Sequence, residues 1–150
     1  MALIILFASN TIEDFYLKQS VNNLKARAIL IDKILATDDA LSPESLQGFC
    51  QGLGKETDTR ITLITPGGKV LADSHEDPVK MDLHNDRPEI IQAIQGKEGV
   101  SQRSSYTLEK EHLYYARMSS NIDNKIVIRV SFPTVELKAA LHILKVNLFL

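Results

Sequence analysis

Between residues 73 and 89 the chain carries Asp73, His75, Glu76, Asp77, Asp82, His84, Asp86 and Glu89. Carboxylate oxygens and imidazoles at this density are the donors a divalent cation takes. Their spacing matches neither a calcium loop nor an HExxH helix, so the stretch reads as a charged surface loop and no metal is assigned. Arg87, Arg103 and Arg117 offer a different chemistry, because a planar guanidinium pairs readily with carboxylate or phosphate. Tyr106, Tyr114 and Tyr115 would wall such a pocket. The set expected to bind a small anionic ligand is Asp73, His84, Arg87, Arg103, Tyr106 and Tyr114. The plainer alternative has Arg87 packed on its own loop with Asp73, and the tyrosines filling a sheet face.

Three other features are read as inert. His75, in Ser74-His75-Glu76-Asp77-Pro78, is not a phospho-acceptor. That chemistry needs a dimeric amphipathic helix beside a nucleotide-binding domain, and His75 follows a strand with no glycine-rich lid in the chain. Cys50 is the single cysteine. It can form no internal disulfide, belongs to no zinc cluster, and reads as a small buried hydrophobe. Pro66-Gly67-Gly68 is a hairpin turn. With no Ser/His/Asp set and no phosphate-cradling loop, no catalytic residue and no cofactor is assigned.

These residues must be held by regular elements, and the apolar pattern supplies them. From Thr11 to Thr37 there is neither Pro nor Gly, and Leu17, Val21, Leu24, Ala28, Ile31 and Leu35 recur at 4-3-4-3-4 spacing. That narrow heptad seam suits a helix pairing with its twin or leaning along a sheet, and the six residues are expected at a dimer interface. Ser42 and Pro43 open a second helix expected to stop near Gly52 or Gly54. The period then changes to two: strands are expected at 60–65 and 69–73, and after a polar loop at 100–107, 112–118 and 125–132. A short helix begins at Asp86-Arg87-Pro88-Glu89, with Asp86 as cap and Glu89 reaching back as a capping box. Pro133 ends the sheet and starts a terminal helix with Leu137, Leu141, Leu144 and Leu148. The order α-α-β-β-α-β-β-β-α implies an α+β domain with a five-stranded antiparallel sheet, not a doubly wound parallel one.

At 150 residues, 44% hydrophobic and 24% charged, the chain is sized for one ordered domain. A net charge of −2 and the absence of Trp argue against nucleic acid as a partner. The ends are unusual: residues 2–8 form an uncharged apolar run, and 139–150 another. Each is shorter than the roughly 18–20 apolar residues of a membrane span.

The layout resembles the PAS-like (Cache/PDC-like) sensor domains of bacterial receptors. Residues 60–96 look like the strand-turn-strand, acidic loop and H-x-D-R-P-E helix start of phosphate-regulon (PhoR-type) sensor histidine kinases. Residues 97–118 look like the strand pair that follows, with Arg-x-Ser-x-Thr-Leu and Leu-Tyr-x-Ala; Met118 departs from the apolar-Pro ending of that pattern. The resemblance implies a domain over 10–140 on the extracytoplasmic side of a cell membrane. Residues 1–9 would be a stub of one transmembrane helix or an N-terminal helix extension, and 141–150 the start of a second transmembrane helix. It also implies a homodimer through the terminal helices and a small ligand or regulatory protein as stimulus. A chemoreceptor or cyclic-dinucleotide enzyme as parent, and a soluble PAS-like interaction module, are the alternatives.

Overall fold

The computed structural model describes residues 2–37, 42–104, 110–121 and 125–148. Helix α1 (Ala2–Leu35) is followed by α2 (Pro43–Thr57), strands β1 (Arg60–Ile64) and β2 (Val70–Asp73), and a 3-10 turn at Pro78–Lys80. Then come α3 (Pro88–Ile94), β3 (Gly99–Ser104), β4 (Glu111–Met118), β5 (Val127–Pro133) and α4 (Val135–Leu148). The five strands form one sheet in the order β2-β1-β5-β4-β3, with every neighbouring pair antiparallel. The α+β class and element order expected from the pattern are the ones observed. Tyr106, in the expected extension of the third strand, lies outside the described residues.

Side chains alternate across the sheet, as strand geometry requires. Ile61, Leu63, Ala72, Leu113, Tyr115, Ile128 and Val130 turn to one face and form a core with Leu24, Ala28, Ile31 and Cys50 from the two leading helices. On the other face Ile64, Val70, Ala116 and Val127 pack against Ile90 and Ala93 of α3. The remainder of that second face is polar.

The heptad seam of α1 is therefore used differently from the dimer expectation. Leu24, Ala28 and Ile31 are fully buried against their own sheet, and Val21 and Leu35 pack beside them. A side chain already enclosed by its own chain has no surface left for a twin. Leu17 alone of the six is exposed. Two polar anchors fix the helix along the sheet. Arg27 donates to the carbonyl of Thr57 (2.8 Å) and to the Thr59 hydroxyl. Asp32 accepts from the backbone N–H of Ser120 (2.9 Å) and pairs with Arg117 (3.5 Å).

Two helix expectations are corrected as well. The Ser42 hydroxyl does cap α2, accepting from Ser45 N–H, but the helix runs through Gly52 and Gly54 to Thr57. Gly54 is there for contact, not termination: a Cβ on it would lie 2.5 Å from the Ser74 Cβ, so only glycine lets α2 lie this close. Asp58, in the left-handed region at φ 47°, closes the helix instead. In α3 the N-cap is Arg87, without a side-chain capping bond. Asp86 pairs with Arg87 (3.0 Å), and Glu89 turns inward.

Among the described residues no helix is long and apolar enough to cross a membrane. Helix α1 continues unbroken through residues 2–9, and α4 spans residue 140 without a break. The two terminal helices contact one another.

Candidate functional site

The polar half of the second sheet face is a chain of buried charges. It begins at Asp73, fully buried at the end of β2. Its carboxylate accepts from Arg60 Nε (3.1 Å), the Thr62 hydroxyl (2.8 Å) and the backbone N–H groups of His75 and Glu76 (2.9 and 3.0 Å). Gln47 of α2 clamps the Asp73 backbone at both its N–H and its carbonyl. Thr62 also accepts from Arg129 of β5 (3.2 Å), joining this group to the next. Arg129 pairs with Glu89 (3.3 Å), which also accepts from Arg103 (2.8 Å) and the Ser101 hydroxyl (2.6 Å).

Strand register explains why these residues meet. Arg60 lies opposite Ser131 and Thr62 opposite Arg129; Ser131 in turn faces Tyr114, and Tyr114 faces Ser101. Positions two apart in a strand share a face, so one side collects Arg60, Thr62, Arg129, Ser131, Tyr114, Ser101 and Arg103. The Tyr114 ring underlies two of the cations, with the Arg103 guanidinium 4.4 Å and that of Arg129 5.0 Å from its centroid. Cation–π contact of this kind is strongest where water is excluded.

Helix α3 covers the group and delivers Glu89 to it. The approach is close: a Cβ on Gly99 would fall 1.9 Å from the Glu89 carbonyl oxygen. Burial pulls against ionisation of Glu89, but its hydrogen bonds from Arg103 and Ser101 and the charge of Arg129 outweigh it, holding the carboxyl below its usual range. Desolvation lowers the Arg129 pKa, opposed by Glu89. Among the described residues, Ser131 Oγ and Nε of Arg129 have no hydrogen-bond partner. Isolated charges in such a place would be untenable, and pairing with several hydrogen bonds is what makes them tolerable.

At one end of this face a cleft of about 230 Å³ is lined by Asp58, Arg60, His75, Lys110, His112 and Pro133. It lies at the root of α4. Thr134 N–H donates to the Glu111 carbonyl (2.9 Å), and Lys138 of α4 pairs with the Glu111 carboxylate. Burial, reinforced by nearby Arg60, lowers the His112 pKa; its Nδ1 bonds the Lys110 carbonyl at 3.0 Å.

Of the residues expected to form an anion pocket, Asp73, Arg103 and Tyr114 belong to this network. Asp73 is paired with Arg60, not with Arg87. His84 is buried above the same face, with Nδ1 2.8 Å from the Asp82 carbonyl. Desolvation and the nearby Arg129 lower its pKa to about 4, so it is neutral at pH 7. Arg87 stays at the rim with Asp86. Tyr115 and Arg117 are excluded by alternation, since both turn to the opposite face. Sequence reasoning missed Arg60, Thr62, Glu89, Ser101, Arg129 and Ser131. The available signal was Arg60-x-Thr62 and Arg129-x-Ser131, polar residues at alternate positions of two central strands. Cys50 sits in the apolar core, where burial, aided by the charge of Asp73, pushes its thiol up to about 12. Such a thiol is not a nucleophile at neutral pH. Among the described residues no three metal-ligating side chains converge.

The E. coli DcuS sensor domain shares this fold with a TM-score of 0.60 at 14% identity, over 86% of this chain and 98% of that one. The ligand-binding domain of the Campylobacter jejuni chemoreceptor Tlp3, solved in complex with 4-methylisoleucine, does so with a TM-score of 0.51 at 15% identity. That match covers 83% of this chain and 61% of the Tlp3 chain, so this protein spans less than two thirds of its length. No protein-family model and no curated protein matches the sequence. The fold is thus that of PAS-like, PDC-type sensor domains.

Proposed function

We propose that this chain is the extracytoplasmic sensing domain of a membrane receptor, a sensor histidine kinase of the phosphate-regulon type, and that it performs no catalysis itself. The observation that carries the reading is the shared fold with the DcuS sensor domain across nearly the full length of both chains. The kinase type is supported by how the two family-like stretches meet. Glu89, from the H-x-D-R-P-E start, pairs with Arg103, which opens the Arg-x-Ser-x-Thr-Leu segment. A chemoreceptor parent is the second reading, favoured by the likeness to the Tlp3 domain.

In this reading the stimulus acts on the polar sheet face or its cleft, and α4, rooted beside the cleft, moves relative to α1. Discrete helix packings convert such a shift into a signal. The domain pairs with a twin through side chains the sheet leaves free on α1, among them Leu17, Leu30 and Ile34. The full receptor in membranes tests the scheme. Asp73→Asn and Glu89→Gln, which disturb the face without touching α1 or α4, should shift autophosphorylation under a fixed stimulus. Output unchanged by both would overturn it. A methyl-accepting signalling coil in the chain following Leu150, in place of a kinase, would replace the kinase reading with the chemoreceptor one.

A further inference from the structure

Three donors converge on one carboxylate at the centre of the polar face. The Ser101 hydroxyl reaches Oε2 of Glu89 at 2.6 Å, and Oε1 receives Arg103 at 2.8 Å and Arg129 at 3.3 Å. Charge-assisted donors gathered on both oxygens of a carboxylate are the arrangement by which proteins recognise a carboxylate ligand. The donors and the acceptor come from different elements. The sheet supplies the donors from β3 and β5, while the carboxylate arrives from α3, laid across it. The two guanidinium groups are also held independently of Glu89. The Tyr114 ring supports both guanidinium groups, and Thr62 accepts from Arg129.

The charges of the face point the same way. Glu89 is the carboxylate to which both Arg103 and Arg129 pair, so its removal takes one negative charge away from two guanidinium groups. Glu89 itself is fully buried, and the contact of its backbone with Gly99 fixes where α3 lies. A free anion therefore finds both oxygen positions taken.

We infer that Glu89 is a built-in ligand: its carboxylate fills an anion seat made by Ser101, Arg103 and Arg129, keeps free carboxylates out, and leaves a monocarboxylate site when cut back to alanine. Glu89→Ala removes a CH2–COO⁻ unit, the size of acetate, so acetate is the matching probe. The inference rests on the sensing proposal for its meaning in the receptor. The two fail separately, because this test is read on the purified chain and the sensing test on receptor output.

Thermal unfolding of the 150-residue chain is followed in buffers of equal ionic strength with chloride or acetate as the anion. For Glu89→Ala, acetate at about tenfold excess over its Kd should raise Tm by about 3–6 °C. Wild type and Glu89→Gln, whose seats are full, should not respond. No gain in the alanine variant, or an equal gain in all three proteins, overturns the inference. Should Glu89→Ala fail to fold in chloride, refolding is compared in the two anions. Recovery confined to acetate supports the seat, and failure in both while Glu89→Gln folds refutes it.

Discussion

The placement of Leu24 separates a helix that leans on its own sheet from one that pairs with a twin. Leu24 is 0% exposed and belongs to one core cluster with Ala28, Ile31, Ile61, Leu113 and Tyr115 of the same chain. Leu24→Ala deletes three buried carbons and leaves a cavity the rigid sheet cannot fill, at a cost of about 2–5 kcal/mol. With a urea m-value of about 2 kcal/mol per molar, a loss of about 3 kcal/mol lowers the midpoint by about 1.5 M. Lys18→Ala on the same helix, at an exposed position outside the proposed pairing surface, is the control and should stay within about 0.5 kcal/mol of wild type. Urea titration followed by far-ultraviolet circular dichroism reads both, at two protein concentrations, with sedimentation velocity alongside. A Leu24→Ala midpoint equal to wild type, together with lost self-association, would refute the reasoning and return Leu24 to a dimer seam.

Three further outcomes are expected. Asp73→Asn leaves Arg60 facing a neutral amide in a buried setting, and thermal unfolding should show a loss of about 3–5 kcal/mol, as for other broken buried pairs. His84 takes up its proton near pH 6.5 in the unfolded chain but only near pH 4 in the fold. Stability should therefore fall as pH drops across that window, by on the order of 2–3 kcal/mol. A His84→Gln variant should flatten that part of the denaturation profile, and an unchanged slope would dismiss His84 as the cause. Gly99→Ala drives a methyl group into the Glu89 carbonyl, so it should cost about 3 kcal/mol or more and loosen α3 from β3. Faster hydrogen exchange confined to residues 88–94 is the readout.

The sequence by itself determined the elements and their order. Period-two alternation in Arg60-Ile-Thr-Leu-Ile and in Ile126 to Phe132, the heptad spacing of α1 and the punctuation at Pro66, Pro88 and Pro133 are local signals, and local geometry answers to them. It also singled out Arg103 and Tyr114, which the fold brings together on the polar face. It did not show which face would be covered. Arg60, Thr62, Arg129 and Ser131 have the alternation of a solvent-facing strand edge, and Glu89 that of a capping residue. Only when α3 and the 74–87 loop close over the sheet do these groups lose water and have to satisfy one another. Partner choice in such a network depends on residues far apart in the chain, Glu89 and Arg129 among them, and on an approach as close as that of Gly99 to α3. Desolvation is a property of the assembled tertiary structure, so no spacing along the chain encodes it.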